Sequence, residues 1–192
     1  ADTVIDGQGI YLSPGFIDVH TNSDHYFSIF DYPSQEDFLR QGVTTIIGGQ
    51  DGASLAPLLY GTLESIRNWA DAEKYNVNWH SVREFFEALE KRHLGVNFAT
   101  LIGHGTIRRA LLGDNLRDLT KNEMSVFEKV LHQSLEEGAV GLSAGLHSAH
   151  CHSAPYQELR SLARVVAAHD GVFSATPRWA DEELLRGVEE LI

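Results

Sequence analysis

The sequence predicts an α/β fold in which about five βα units build one parallel sheet, and three observations predict it. Short, nearly continuous apolar runs alternate with segments whose apolar residues recur at helical spacing, the pattern of βαβ units. Helix-start signals stand before the periodic segments. Glycines stand at the turns that lead back into the apolar runs, where the left-handed conformation ends a helix.

Taken in order, the strands expected are Gly15 to Thr21, Val43 to Gly49, Val96 to Gly103, Ala139 to Gly145 and Val172 to Arg178. Their unbroken apolar character suits strands covered on both faces. A short helix is expected after Pro33 and Ser34, through Phe38 and Leu39. Ser81 with Glu84 and Thr120 with Glu123 fit capping boxes, in which hydroxyl and carboxylate satisfy backbone donors at a helix start. Behind them, Val82, Phe85, Phe86 and Leu89 share one helical face, as do Met124, Phe127 and Leu131, and both stripes read as core contacts with the sheet. Two further helices are expected from about Pro155 to His169 and from Asp181 to the end, the last presenting Leu184, Leu185, Val188 and Leu191. Gln41-Gly42, His93-Leu94-Gly95, Glu137-Gly138 and Asp170-Gly171 supply the turns. A complete, doubly wound open sheet of five strands fits the same count.

Composition narrows the partners. With 43% hydrophobic and 22% charged residues, the 192-residue chain has an ordinary globular composition and enough length for one substantial core. Fifteen Lys and Arg against 27 Asp and Glu give a formal charge of −12, which repels phosphate backbones and anionic lipids, so neither nucleic acid nor a membrane surface is expected as a partner. No apolar run approaches the roughly 20 residues that cross a bilayer, and the opening ADTVIDGQG lacks the basic and apolar regions of a signal peptide. Cys151 is the only cysteine, so no intrachain disulfide can form and a reducing cytoplasm is the expected location.

Candidate functional residues cluster at the ends of the expected strands. PGFIDVHTNSD, from Pro14 to Asp24, carries His20 and Asn22, two positions that share a face if the strand reaches them. The motif resembles the first strand of the amidohydrolase superfamily, which ends in His-x-His, and further similarity narrows the resemblance to the N-acyl-D-amino-acid deacylases. Gln41 to Pro57 (QGVTTIIGGQDGASLAP), Val96 to Arg108 (VNFATLIGHGTIR), Glu136 to Leu146 (EEGAVGLSAGL) and Gly171 to Trp179 (GVFSATPRW) are similar to the second, third, fourth and fifth strand regions of that family.

The resemblance implies a partial TIM-like (β/α) barrel, about five units of an eight-unit metal-dependent hydrolase barrel, with residues 14–192 as its N-terminal part. Residues 1–13 are then a lead-in or the end of a small β-rich flanking domain. It also implies zinc as cofactor and hydrolysis of a linear amide C–N bond in an N-acyl amino acid or related small molecule. The metal positions fall on His20, Asn22, Asp51 and Thr176, where Asn22 replaces a His, Asp51 a Cys and Thr176 a His. Substrate positions fall on His104, Ser148 and Arg178, with Ser148 near the place of a substrate-orienting Tyr. Neutral or hard oxygen donors in place of imidazole and thiolate imply a weakened metal site and impaired or lost activity. The alternative is a non-catalytic binding or assembly protein on a degenerate barrel. The family's later ligands lie beyond Ile192, and five units leave both outer strands unpaired, so the chain is expected to be completed by the remainder of a barrel or by a second copy.

Each candidate also has an ordinary structural role open to it. His20 is either a ligand or a hydrogen-bonded structural histidine, Asp51 a ligand or a turn residue, and His104 a substrate-facing group or a satisfied polar group beneath a loop. His147, His150, Cys151 and His152 form either a soft-metal cluster or a solvent-exposed loop. Asp24 is expected at the surface or supporting the site. His25, His80, His93, His132 and His169 are expected to have no catalytic part.

Overall fold

Five parallel strands, β1 (Phe16–Asp18), β2 (Val43–Gly48), β3 (Asn97–Gly103), β4 (Gly141–Gly145) and β5 (Val172–Thr176), pair in sequential order in a computed structural model that describes residues 6–59, 63, 66, 75–179 and 181–192. The register sets Ile46 beside Phe98, Ile102 beside Leu142, and Leu142 beside Phe173. In a flat sheet β2 and β5 would lie about 14 Å apart, three strand spacings. Here Thr176 Oγ1 reaches Asp51 Oδ1 at 2.6 Å and Ser174 Oγ reaches Gln50 Oε1 at 3.3 Å. The sheet therefore curls, and the turn after β2 spans its concave mouth. This is a partial TIM-like barrel of about five βα units.

Eight α-helices are placed among the described residues: α1 (Ser28–Asp31), α2 (Glu36–Leu39), α3 (Val82–Glu90), α4 (His104–Leu112), α5 (Lys121–Glu136), α6 (Ala149–His152), α7 (Tyr156–Ala168) and α8 (Leu184–Leu191). Both expected capping boxes form. Ser81 Oγ accepts from Glu84 N at 3.2 Å while the Glu84 carboxylate accepts from Ser81 N, and Thr120 Oγ1 accepts from Glu123 N at 3.3 Å while Glu123 accepts from Thr120 N at 2.7 Å. From α3, Val82, Phe85 and Leu89 are buried; from α5, Phe127 and Leu131; from α7, Leu159, Leu162, Val165 and Val166. All but Leu159, which joins a smaller cluster with Ala144, Leu146, Cys151 and Ala154, make the main core together with Ile102 and Leu142 of the sheet. A nest of Phe27, Phe30, Tyr75, Trp79 and Phe85 extends it, with Phe30 and Trp79 stacked at 5.5 Å.

Besides the unexpected short helices α1 and α6 and the end of β5 at Thr176 rather than Arg178, the elements differ from expectation chiefly in three places. Strand β1 ends at Asp18 rather than Thr21, so only the Thr21 N–H to Ile47 carbonyl bond prolongs its pairing, and strand alternation does not relate His20 to Asn22. Helix α4 begins directly after β3, where no helix is expected. Gly103 stays extended and packs on the turn at residues 52–54, so the chain must leave the sheet there, and Ile107 and Leu112 turn into the core. Helix α8 buries only Gly187, whose backbone rests on Pro177 and Trp179, while Leu184, Leu185 and Val188 are exposed. Strands β1 and β5 each pair on one side only among the described residues, and Phe16, Ile17 and Val172 are exposed there. No helix among the described residues is long and apolar enough to cross a membrane.

Candidate functional site

The turn that follows β2 builds the mouth. Asp51 (φ 53°) and Gly52 (φ 79°) both adopt the left-handed conformation, which swings the chain across the ends of β3 and β4. Three bonds hold it there. Gly52 N donates to Ser143 Oγ at 3.0 Å, Ser143 Oγ donates to the Gly49 carbonyl, and Thr106 N donates to the Gly52 carbonyl at 3.1 Å. Beside the turn, buried Gln50 donates to the Val19 carbonyl at 2.8 Å and accepts from Ser174 Oγ, so one side chain ties the end of β1 to β5. Buried Asp24 accepts from Gly49 N at 2.8 Å; burial pushes its carboxyl above the ordinary carboxylate range, against the opposing pull of His25 and of backbone donors.

With the turn fixed, the Asp51 carboxylate is divided between two partners. Its Oδ2 lies 3.4 Å from His20 Nε2 and its Oδ1 accepts from Thr176 Oγ1 at 2.6 Å, so residues from the ends of β1, β2 and β5 meet at one point. The His20 and Asp51 side chains are 53% and 31% exposed, open to solvent and to a ligand. Two donors about 2.1 Å from one zinc ion at the tetrahedral angle lie about 3.4 Å apart. The spacing of His20 and Asp51 is therefore compatible with one edge of a zinc tetrahedron, and Thr176 bonds the other oxygen of the Asp51 carboxylate. Among the described residues no third His, Cys, Asp or Glu joins them. Asn22, past the strand end and exposed, lines a separate cleft with Ser28, Tyr32, Gln35 and Asp37.

A second polar centre lies buried among the helices. The His104 imidazole lies with Nδ1 3.3 Å from Cys151 Sγ and Nε2 2.8 Å from Glu158 Oε1. Arg108 Nη1 donates to Glu158 Oε2 at 2.7 Å, and Phe127 stacks on the imidazole at 5.5 Å. All four polar side chains are buried. Burial by itself would lower the His104 pKa, but the hydrogen bonds and charges of Cys151 and Glu158 raise it to about 9. For Cys151 burial works upward, yet the hydrogen bond and charge of His104, with help from Ser148 and the Gly145 backbone, hold the thiol below its ordinary value.

The structure thus joins His20, Asp51 and Thr176 and places the other candidates elsewhere. His104 opens α4 with its side chain 0% exposed, turned towards the helices rather than the mouth. Ser148 is the N-cap residue of α6 and leans on Cys151. The Arg178 guanidinium is occupied by Glu190, at 2.8 to 3.2 Å, and by the carbonyls of His152 and Ala154, which binds the loop after β4 to α8. The histidines of the loop after β4 diverge: His150 Nε2 meets the Gly113 carbonyl at 2.8 Å, His152 Nδ1 the Leu146 carbonyl at 3.0 Å, and His147 is exposed. Gln50, Ser143 and Glu158 are the residues that sequence reasoning missed. Each carries an ordinary local signal, a turn, a strand or a first helical turn, and acquires its part from partners 31 to 124 residues away.

The chain is similar in sequence and fold to known proteins. No family model matches the chain. D-aminoacylase from Alcaligenes xylosoxydans xylosoxydans is 30% identical over 190 residues, which cover 99% of this chain and 39% of that protein. The crystal structure of a D-aminoacylase, said to define a novel subset of amidohydrolases, superposes with a TM-score of 0.78 at 29% identity over 92% of this chain and 37% of its own. An N-acyl-D-glutamate deacylase from Bordetella bronchiseptica, complexed with zinc and a phosphonate inhibitor that mimics the tetrahedral intermediate, superposes at 0.79 with 31% identity over 93% and 37%. The chain spans about two fifths of the length of these relatives.

Proposed function

The chain is homologous to the N-acyl-D-amino-acid deacylases of the amidohydrolase superfamily, and we propose that it serves hydrolysis of the amide bond of an N-acyl amino acid or a closely related small molecule. The observation that carries this reading is the meeting of His20, Asp51 and Thr176 at the carboxyl ends of three strands, with a His-to-carboxylate spacing that suits one zinc edge. Active sites of barrels of this type lie at that end.

In this reading His20 Nε2 and Asp51 Oδ2 hold the cation. Thr176 orients Asp51 by donating to its other oxygen, and Gln50 holds the strand ends together behind it. A zinc ion bound there supplies a water activated near neutral pH and a Lewis acid for the scissile carbonyl. Exchanging a thiolate for the Asp51 carboxylate keeps the negative charge but hardens the donor, and among the described residues the two ligands are fewer than the three that a catalytic zinc site uses.

The test is titration of the metal-free protein with zinc or cobalt(II), followed by assay against N-acetyl derivatives of D-glutamate, D-aspartate and D-leucine. Metal-dependent amide hydrolysis that Asp51→Asn abolishes supports the proposal. Stoichiometric metal binding indifferent to both His20→Ala and Asp51→Asn, or hydrolysis that ignores both substitutions, sinks it.

A further inference from the structure

The Asp51–Gly52 turn is built around a sulfur atom. A Cβ added to Gly52 would stand 2.9 Å from Cys151 Sγ and 3.0 Å from Gly145 N; one added to Gly105 would stand 3.0 Å from the same sulfur and 3.0 Å from the Gly52 carbonyl oxygen. A Cβ on Gly145 would stand 2.2 Å from the Asp51 carbonyl oxygen. Three glycines on three elements thus leave a slot that fits one thiol and two backbone strands with nothing to spare. Cys151 itself is fixed from behind. His104 Nδ1 holds the sulfur, Glu158 holds His104, and Arg108 holds Glu158 while also donating to the Arg117 carbonyl at 2.7 Å.

We propose that Cys151 is a positioning residue: its thiol, seated by His104, Glu158 and Arg108, is the wedge that sets the Asp51–Gly52 turn and so aims the Asp51 carboxylate at His20. The metal-binding half of this inference rests on the function proposed above; the wedge itself does not. Interiors are packed closely enough that a change of one heavy atom is felt by its neighbours. Here the neighbour is the backbone of Gly52, one residue from Asp51, and a small shift of that backbone is a change in ligand direction. A polar centre sealed from solvent thereby acts on an open one without touching the ligand.

The experiment uses the full chain and two independent readings. Backbone amide exchange at Gly52 and Thr106 reports on the turn without any metal, and the visible spectrum and affinity of cobalt(II) report on the aim of Asp51. In Cys151→Ala, exchange at Gly52 and Thr106 is expected to accelerate by about tenfold or more while amides of α5 keep their protection. Cobalt(II) affinity should fall by about tenfold with an altered spectrum, the usual scale for losing a group that orients a ligand. Cys151→Ser, which keeps a small hydrogen-bonding group, should restore both readings to within about twofold, a rescue that a merely structural cavity would not show. If Cys151→Ala does not fold, Glu158→Gln, which keeps its volume and loosens the anchor on His104, carries the same expectation at about threefold.

Wild-type exchange at Gly52 and Thr106 in a folded Cys151→Ala or Glu158→Gln protein overturns the wedge. Faster exchange with an unchanged cobalt(II) spectrum overturns its link to Asp51. Asp51→Asn is the control for the underlying site. Cobalt(II) binding that survives it removes the proposed metal site, while the exchange readings still decide the wedge.

Discussion

His20 and Asp51 at the mouth stand 3.4 Å apart with half and a third of their side chains exposed, whereas His104 and Glu158, 2.8 Å apart, have 0% and 3% exposed. Each pair is one imidazole and one carboxylate, so chemistry does not separate them; solvent does. In the interior a charge left without a partner is costly, and every member of the His104 centre is held by at least one other. At the mouth, water can replace either partner at little cost. That freedom lets a ligand compete for the pair. The sealed centre is therefore suited to holding shape, and the open one to binding.

The comparison can be broken first at Glu158. Glu158→Ala leaves the Arg108 guanidinium buried without a carboxylate and removes the partner of His104 Nε2, and is expected to destabilise the fold by about 3 to 5 kcal/mol in urea denaturation. A loss under about 1 kcal/mol would mean that the centre is not a coupled unit.

The next effect is one of pH. Because the folded state raises His104 from its ordinary value near 6.5 to about 9, its stabilising contribution is full below pH 6.5 and is lost as pH rises through 9. The lowered thiol of Cys151 has the opposite sign, contributing above its ordinary value of 9.0. Thermal unfolding of the wild type, His104→Gln and Cys151→Ser across pH 6 to 10 separates the two. The stability gap between wild type and His104→Gln is expected to reach about 3 kcal/mol at the acid end and to narrow above pH 9. A gap that stays constant across this range would show that His104 is not held as an imidazolium.

At the mouth the effects on stability shrink while those on binding grow. Thr176→Val removes the donor to Asp51 Oδ1 and should cost about 1 kcal/mol of stability and about tenfold in cobalt(II) affinity. His20→Ala should change stability by less than about 0.5 kcal/mol, as exposed substitutions do. Its effect belongs in metal titration, where removal of one of two ligands abolishes measurable binding. A large loss of stability from His20→Ala would make the mouth a structural centre like the buried one and erase the contrast.

The sequence makes particular parts of this molecule legible and hides others. The strands and capped helices could be read because their signals are local. Ser81 and Glu84, or Thr120 and Glu123, lie one turn apart and satisfy each other whatever the rest of the chain does. His20, Asp51 and Thr176 could be singled out only through resemblance to a family, since they come from strand ends 31 and 125 residues apart. Expected strand alternation between His20 and Asn22 failed because β1 ends at Asp18. The loop histidines 147, 150 and 152 look alike in sequence, but α6 turns each to a different neighbour.

By itself, then, the sequence determined the order of the elements, the parallel sheet, the helix starts and the residue types delivered to the strand ends, because periodicity and capping are set by neighbours along the chain. Tertiary structure alone decided that His104 faces inward, that Arg178 is occupied by Glu190, and that Gln50, Ser143 and Cys151 hold the turn from which Asp51 projects. Those outcomes depend on how far the sheet curls and how closely glycine backbones approach, and no stretch of a few residues encodes either.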